Sequence, residues 1–272
     1  MRQFATNLPR RSEDSVVINL YHKGKRNFWD PQNIEFATDR ADWQGLSAHE
    51  QTTLLHLSAL FVAGEEAVAL DLAPYLLHVS HQGRYDDALF VALWTLEEAK
   101  HAEFFDAFHR QVIGEADLGV FHGQSYRNIF HQALPEAMGA LVSDPSPEAE
   151  VSALTTYNMI VEGILAETGY RAFREALERR GILRGLLSGL AHVQADEGRH
   201  IAYGLHRLKQ LFTQHPNTRN LFEGIMNERL PDAVGIVQEV FAARAPVPFG
   251  LSEEAFIDYA LRQLQHRVEA LE

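Results

Sequence analysis

A chain of 272 residues with 46% apolar content can bury one sizeable core, and its net charge of −13 argues against nucleic acid or an anionic membrane surface as partners. It has no cysteine, which excludes disulfides, zinc–thiolate sites and iron–sulfur clusters. The opening Met1-Arg2-Gln3-Phe4-Ala5-Thr6 has no apolar signal core, and no run approaches the ~20 uncharged apolar residues of a membrane span, so a soluble cytoplasmic protein without stable membrane insertion is expected.

Strand signals are nearly absent. Residues 1–46 read as a mixed, irregular N-terminal segment with a short helix expected near Pro31–Ala37. Ser47-Ala-His-Glu50 is a capping box that opens a long helical pattern toward Val79, with Pro74 kinking or ending it. A second helix is expected from Tyr85 to Ile113, then a connection, then a shorter helix over 125–142 bent at Pro135. Ser146 followed by Pro147 and acids has helix-start chemistry, and the third long helix should run from there to Arg180 and stop at Gly181. The fourth runs from Ile182 to Gln214. Two more follow a break at 215–218, near 219–243 and 252–270, with Ser252 as the last start. No linker divides the chain. The expectation is one all-α domain whose central helices occupy 47–214, with C-terminal helices over 215–272.

Two segments carry the chemistry: Glu97-Glu98-Ala-Lys-His101 and Asp196-Glu197-Gly-Arg-His200. Each holds a Glu-x-x-His, which on a helix puts a carboxylate and an imidazole one turn apart on one face. Glu65 lies 33 residues before Glu98, and Glu162 lies 35 before Glu197. A Glu followed one helix later by Glu-x-x-His therefore occurs twice at nearly equal spacing. This is the ligand pattern of a carboxylate-bridged dinuclear site in a helical bundle. Two solvent-facing i,i+3 pairs on surface helices are the bland alternative. Apolar residues at helical spacing, Phe90, Val91 and Trp94 on one helix and Leu190, Val193 and Ile201 on the other, favour faces turned inward.

Four carboxylates and two imidazoles suit iron or manganese better than a closed tetrahedral zinc site, and their charge balances two divalent cations. Metal-bound histidines usually donate their other N–H to an acid, and Asp196 and Glu97 are candidates; for Glu97 a solvated surface position is the competing reading. Glu66 competes with Glu65, because periodicity does not separate neighbours. Phe61, Phe104, Phe105 and Tyr157 read by default as core packing.

At these residues the chain resembles the ferritin-like superfamily and, within it, the small subunit of ribonucleotide reductase. It is most similar to the ligand-binding oxidases related to that subunit. The segment Phe61-Val-Ala-Gly-Glu65-Glu66-Ala-Val68-Ala-Leu-Asp71-Leu72 is similar to that family's first ligand helix, with the two Glu-x-x-His segments matching the remaining motifs over about residues 50–210. The resemblance implies a four-helix-bundle core with additional helices and a Mn/Fe site held by Glu65, Glu98, His101, Glu162, Glu197 and His200. It implies dioxygen as co-substrate, an apolar tunnel for a long-chain fatty acid, oxidation of a nearby C–H bond, and an ether cross-link between Val68 and Tyr157. An Fe/Fe site also fits the donor set. The electron donor is not identifiable from the residues, and a homodimer is one candidate assembly. On an ideal α-helix Val68 stands about 60° from Glu65, but Tyr157 stands about 140° from Glu162, so spacing does not demand the cross-link.

Three other functions are weighed against this one. A reductase small subunit often carries a radical tyrosine four residues after the first ligand histidine; this chain has Phe105 there. An acyl desaturase shares the double motif. The third is a non-enzymatic iron-storage or fatty-acid-binding protein; storage ferritins usually lack the second Glu-x-x-His.

Overall fold

The computed structural model describes residues 15–242 and 247–272; the opening hexapeptide lies outside them. Among the described residues every regular element is helical. Residues 16–44, expected to be irregular, hold two helices, α1 (Val16–Arg26) and α2 (Ala37–Gln44), around a short turn at Pro31–Asn33. Both are short and rich in charged residues, so their periodicity is weak, and their stability comes from what they cover. α1 buries Val17 and Ile18, and its Gly24 crosses α5 so closely that a Cβ there would come 2.6 Å from Leu93 and 3.0 Å from Glu97 Oε1.

The predicted capping box forms: Ser47 and Glu50 cap α3 (Ala48–Asp71) reciprocally. Pro74 ends that helix and sits in the first turn of α4 (Ala73–His81). Within Ala48–His81 an 18-residue window has mean hydropathy 1.4, apolar enough to cross a membrane. This is nearer to a span than the sequence suggests. However, 56% of that window is buried inside the fold, and it carries the inward Glu65. α5 (Tyr85–Phe108) continues into a π-helical turn, His109–Ile113. α6 (Gln124–Arg127) and α7 (Leu134–Ala140) flank another π segment, and Pro135 sits in the first turn of α7.

Ser146 caps α8 (Pro147–Leu154) by accepting from Ala149 N–H at 3.2 Å. The chain stays helical through a 12-residue π segment, Thr155–Ala166, into α9 (Glu167–Leu177), and stops at Gly181 in the left-handed region. α10 (Arg184–Gln214) starts two residues later than expected because Leu183 is itself left-handed, with φ 50°. Its first turn is capped from a distance. Asp39 on α2 accepts from the N–H groups of Gly185 and Leu186 at 2.9 and 2.8 Å, and Asp42 from that of Leu183 at 2.8 Å. α11 (Thr218–Ala242) and α12 (Glu253–Ala270) pack against the π segment and close the bundle on that side. Two apolar clusters form the core, one around Tyr75, Trp94, Met159 and Tyr203, the other around Phe61, Phe104, Phe105 and Phe173.

Candidate metal centre

Four helical segments bring six polar side chains to the middle of the bundle. α3 supplies Glu65, α5 supplies Glu98 and His101, the π segment supplies Glu162, and α10 supplies Glu197 and His200. All six are at most 5% exposed, whereas Glu66 is exposed, so Glu65 is the inward residue of the pair. They form two groups that could each hold a metal ion, Glu65, Glu98, His101 and Glu197 in one, and Glu98, Glu162, Glu197 and His200 in the other. Within each group one ligand atom per residue lies within 4.8 Å of all the others. Glu98 and Glu197 belong to both groups, the positions expected of bridging carboxylates.

The donor atoms fit metal. His101 Nδ1 lies 3.5, 3.4 and 3.5 Å from oxygens of Glu65, Glu98 and Glu197, and His200 Nδ1 lies 3.2, 3.4 and 3.4 Å from oxygens of Glu98, Glu162 and Glu197. Neighbouring ligands on one ion at about 2.0–2.2 Å stand about this far apart. Both Nδ1 atoms, with Glu98 Oε2, Glu162 Oε1 and Glu197 Oε2, are buried without a hydrogen-bond partner, which a protein interior rarely tolerates. Burial pushes the Glu65 carboxyl up to about 8 and Glu162 well above the ordinary range, and neighbouring carboxylates add to both shifts. Burial also opposes charge on Glu98, yet His101 and His200 hold it below the usual range. Four carboxylates in an apolar interior need cations to ionise together.

The far side of each imidazole is tied down. His101 Nε2 donates to Asp196 at 3.2 Å, and His200 Nε2 donates to Glu97 at 2.9 Å. Each acid thus serves the histidine of the other helix. Glu97 is 1% exposed, so its reading as a solvated acid does not hold. Sequence reasoning missed the residues behind this pair. Arg199 is buried and donates to both acids, at 2.5 Å to Glu97 and also to Asp196. Trp29 Nε1 donates to Asp196 at 2.7 Å, and Lys100 Nζ lies 3.4 Å from it. Arg199 stands three residues after Asp196, a spacing that could have flagged an ion pair; Trp29 has no local signal. Trp94 Nε1 donates to Glu98 at 2.8 Å, Asn158 Nδ2 to Glu162 at 2.6 Å, and Tyr170 to Glu197 at 3.4 Å.

Val68 and Tyr157 are both buried, and the Tyr157 hydroxyl donates to the Val68 carbonyl at 3.2 Å. The awkward angle expected between Tyr157 and Glu162 disappears because both lie in the π segment. Its hydrogen bonds join residues five apart, so these two stand one turn apart on one face. Phe105 packs between Phe61 and Phe104, with ring centroids 5.1 Å from each.

An apolar cavity opens onto Glu65, Glu98, Glu162 and Glu197. Its walls include Phe61 and Val68 near the acids and Val240, Phe241 and Phe256 farther out.

Comparison with known proteins agrees with this architecture. The profile of the family described as "Ribonucleotide reductase, small chain" matches residues 10–270. A mutant R2-like ligand-binding oxidase with anaerobically reconstituted Mn/Fe cofactor superposes with a TM-score of 0.91 at 38% identity, covering 95% of this chain and 94% of that one. Another, with aerobically reconstituted Mn/Fe cofactor, gives 0.92 at 37% identity with the same coverage. A third, described as a long soak, gives 0.91 at 38%, covering 94% and 92%. The chain belongs to the ribonucleotide reductase small chain family, among the R2-like ligand-binding oxidases.

Proposed function

We propose that this protein is a dioxygen-using Mn/Fe oxidase that holds a long-chain fatty-acid-like ligand beside its metals, oxidises C–H bonds and links Val68 to Tyr157. Glu65, Glu98, His101, Glu162, Glu197 and His200 hold the two ions. The observation that carries the reading is the apolar cavity that ends on four of those carboxylates. When bound, the dinuclear group delivers electrons to dioxygen and draws them from a nearby C–H bond.

The chain's own residues set the conditions. Asp196 and Glu97 accept the Nε2 protons of His101 and His200, which fixes each ring with Nδ1 inward. The apolar cavity wall excludes water and leaves an alkyl chain no polar partner except at the acid end. A ligand carboxylate there would be repelled by four glutamates without cations, so its retention depends on metal. Tyr157 holds its phenol against Val68. The cross-link removes the Val68 Cβ hydrogen and the Tyr157 hydroxyl hydrogen and forms one C–O bond, a two-electron oxidation with dioxygen as acceptor. Phe105 offers no phenol at the position where a reductase subunit often stores a radical.

The test loads purified protein with Mn and Fe, exposes it to air, and measures metal content, extractable lipid and the Val68–Tyr157 peptides. Two metals per chain, one of each kind, a bound fatty-acid-like ligand, and a linked peptide lighter by two hydrogens are expected. Glu98→Ala should lose the metals, the ligand and the link together, whereas Tyr157→Phe should lose only the link. Separate, unmodified peptides from fully metallated, air-exposed protein would reject the cross-link and favour the reductase or desaturase readings.

A further inference from the structure

Beyond the metal centre the bundle buries a second polar cluster, whose location the proposed oxidation chemistry does not require. It lies where α4, α5, α8 and α10 meet, and its centre is a pair of tyrosines. Tyr203 and Tyr75 are both fully buried, and their hydroxyl oxygens are 3.0 Å apart. Tyr203 donates to Asp87 Oδ1 at 2.7 Å and accepts from Arg84 Nη2 at 3.2 Å. Tyr75 reaches Glu150 at 3.1 Å, and Arg84 and Arg207 neutralise that acid. This cluster is joined to the metal centre by aromatic rings. Trp94 stacks on His200 with centroids 4.9 Å apart and planes 26° apart. Its other neighbours include Tyr203 at 5.9 Å and Tyr75 at 6.4 Å. The far end reaches solvent, where the side chains of Arg84 and Asp87 are 17% and 18% exposed.

We propose that Tyr203, with Asp87 as its proton acceptor, is a one-electron redox site joined to the metal centre through Trp94, and that it drains oxidising equivalents when no C–H bond is within reach. The inference rests on the oxygen chemistry proposed above. Trp94 loses an electron to the oxygen-oxidised site and regains one from Tyr203. The Tyr203 hydroxyl proton moves to Asp87 Oδ1 as the electron leaves. The arrangement enforces that coupling. Burial pushes the Tyr203 phenol well above its ordinary range, so phenolate is scarce at neutral pH. The Arg84 cation beside the oxygen disfavours an oxidised tyrosine that keeps its proton. The neutral phenoxyl then accepts a hydrogen bond from Arg84, while Tyr75 keeps its proton directed at Glu150. A small one-electron reductant such as ascorbate, arriving at the Arg84–Asp87 surface, returns the electron, and Asp87 returns the proton. Trp94 also lies 5.2 Å from Tyr157, so one ring borders both the productive oxidation and the drain.

The experiment uses full-length protein loaded with Mn and Fe, stripped of ligand by delipidation and mixed with dioxygen. Electron paramagnetic resonance on freeze-quenched samples should detect a tyrosyl signal that narrows with ring-deuterated tyrosine. Tyr203→Phe should abolish it, Asp87→Asn should lose most of it, and Tyr75→Phe should keep it, because Tyr75 carries neither the electron nor the proton. Ascorbate should shorten its lifetime. Peptide mapping after repeated oxygen exposure should find a severalfold rise in oxygen addition at Trp94 in Tyr203→Phe, with metal content unchanged. A tyrosyl signal that survives Tyr203→Phe, or Trp94 oxidation equal in both proteins, overturns the proposal. Dioxygen uptake and the Val68–Tyr157 link are measured in the same samples. If both occur without the tyrosyl signal, the drain falls and the oxidase reading stands; if the loaded protein takes up no dioxygen, both fall.

Discussion

Replacing Arg199 with leucine tests whether the residues behind the metal centre are coupled to it as described. Arg199 is 1% exposed and is held between Glu97 and Asp196, both also 1% exposed. Leucine approximates the volume and removes the charge, leaving two buried carboxylates short of a cation. Removing one partner of such a group costs about 3–5 kcal/mol. At ~2–4 °C per kcal/mol for chains of roughly this size, the melting temperature of metal-free protein should fall by about 6–20 °C. The damage should also be uneven. Asp196 keeps Lys100, Trp29 and His101, whereas among the described residues Glu97 keeps only His200 as a polar partner. The group containing His200 should therefore lose about 10–100-fold in metal affinity while the group containing His101 loses less. Scanning calorimetry reads the stability, and anomalous scattering at the Mn and Fe edges after chelator competition reads the two positions. Adding Glu97→Gln removes the stranded charge and should recover part of the cost, about 0.5–3 kcal/mol in a double-mutant cycle. An unchanged melting temperature, or equal weakening of both positions, would refute the reasoning.

Two further outcomes follow from other parts of the molecule. Burial opposes charge on Glu150, but Arg207, His78 and Arg84 hold its carboxyl below the ordinary range. Its folded value is depressed, so its contribution is full above the unfolded carboxylate value near about 4.3 and is lost as pH falls below it. Urea midpoints should drop between about pH 5 and 3, and Glu150→Gln should flatten that drop; identical slopes would remove Glu150 from the account. Gly64 lines the cavity, and a Cβ there would stand 3.5 Å from Phe130 and 3.7 Å from the Tyr126 hydroxyl, which is open enough to accept a side chain. Gly64→Leu should intrude on the cavity and lower lipid recovery severalfold, with metal content retained; undiminished lipid would separate the ligand from this cavity.

The helices that build the bundle were legible because their caps and breaks are local. Ser47, Ser146, Gly181 and Ser252 each act within a turn of their own position. α1 and α2 were not legible, because their reasons lie far away in sequence: Asp39 caps a helix through Gly185, 146 residues later, and Gly24 matters only because Leu93 and Glu97 lie against it. The site divides the same way. The six inward Glu and His residues have helical spacing to announce them. Choosing Glu65 over Glu66 needed the burial of one and the exposure of the other. The crossed pairing of Glu97 with His200 and Asp196 with His101 joins two helices, and no single-helix pattern contains it. Trp29 entered the site from a stretch read as irregular.

The π segment places the site's history in a different kind of genetic event. Tyr157 and Glu162 are neighbours because the hydrogen bonds between Thr155 and Ala166 skip one residue more than an α-helix does. In an uninterrupted α-helix the same five-residue spacing would set them about 140° apart, and a spacing of four would restore their facing. Both side chains would survive a return to α-helix, but their encounter would be kept only if one residue between them were also lost. A change of helix type and a single-codon insertion or deletion between the pair are therefore coupled, and a comparison of residue identities alone would not register the change.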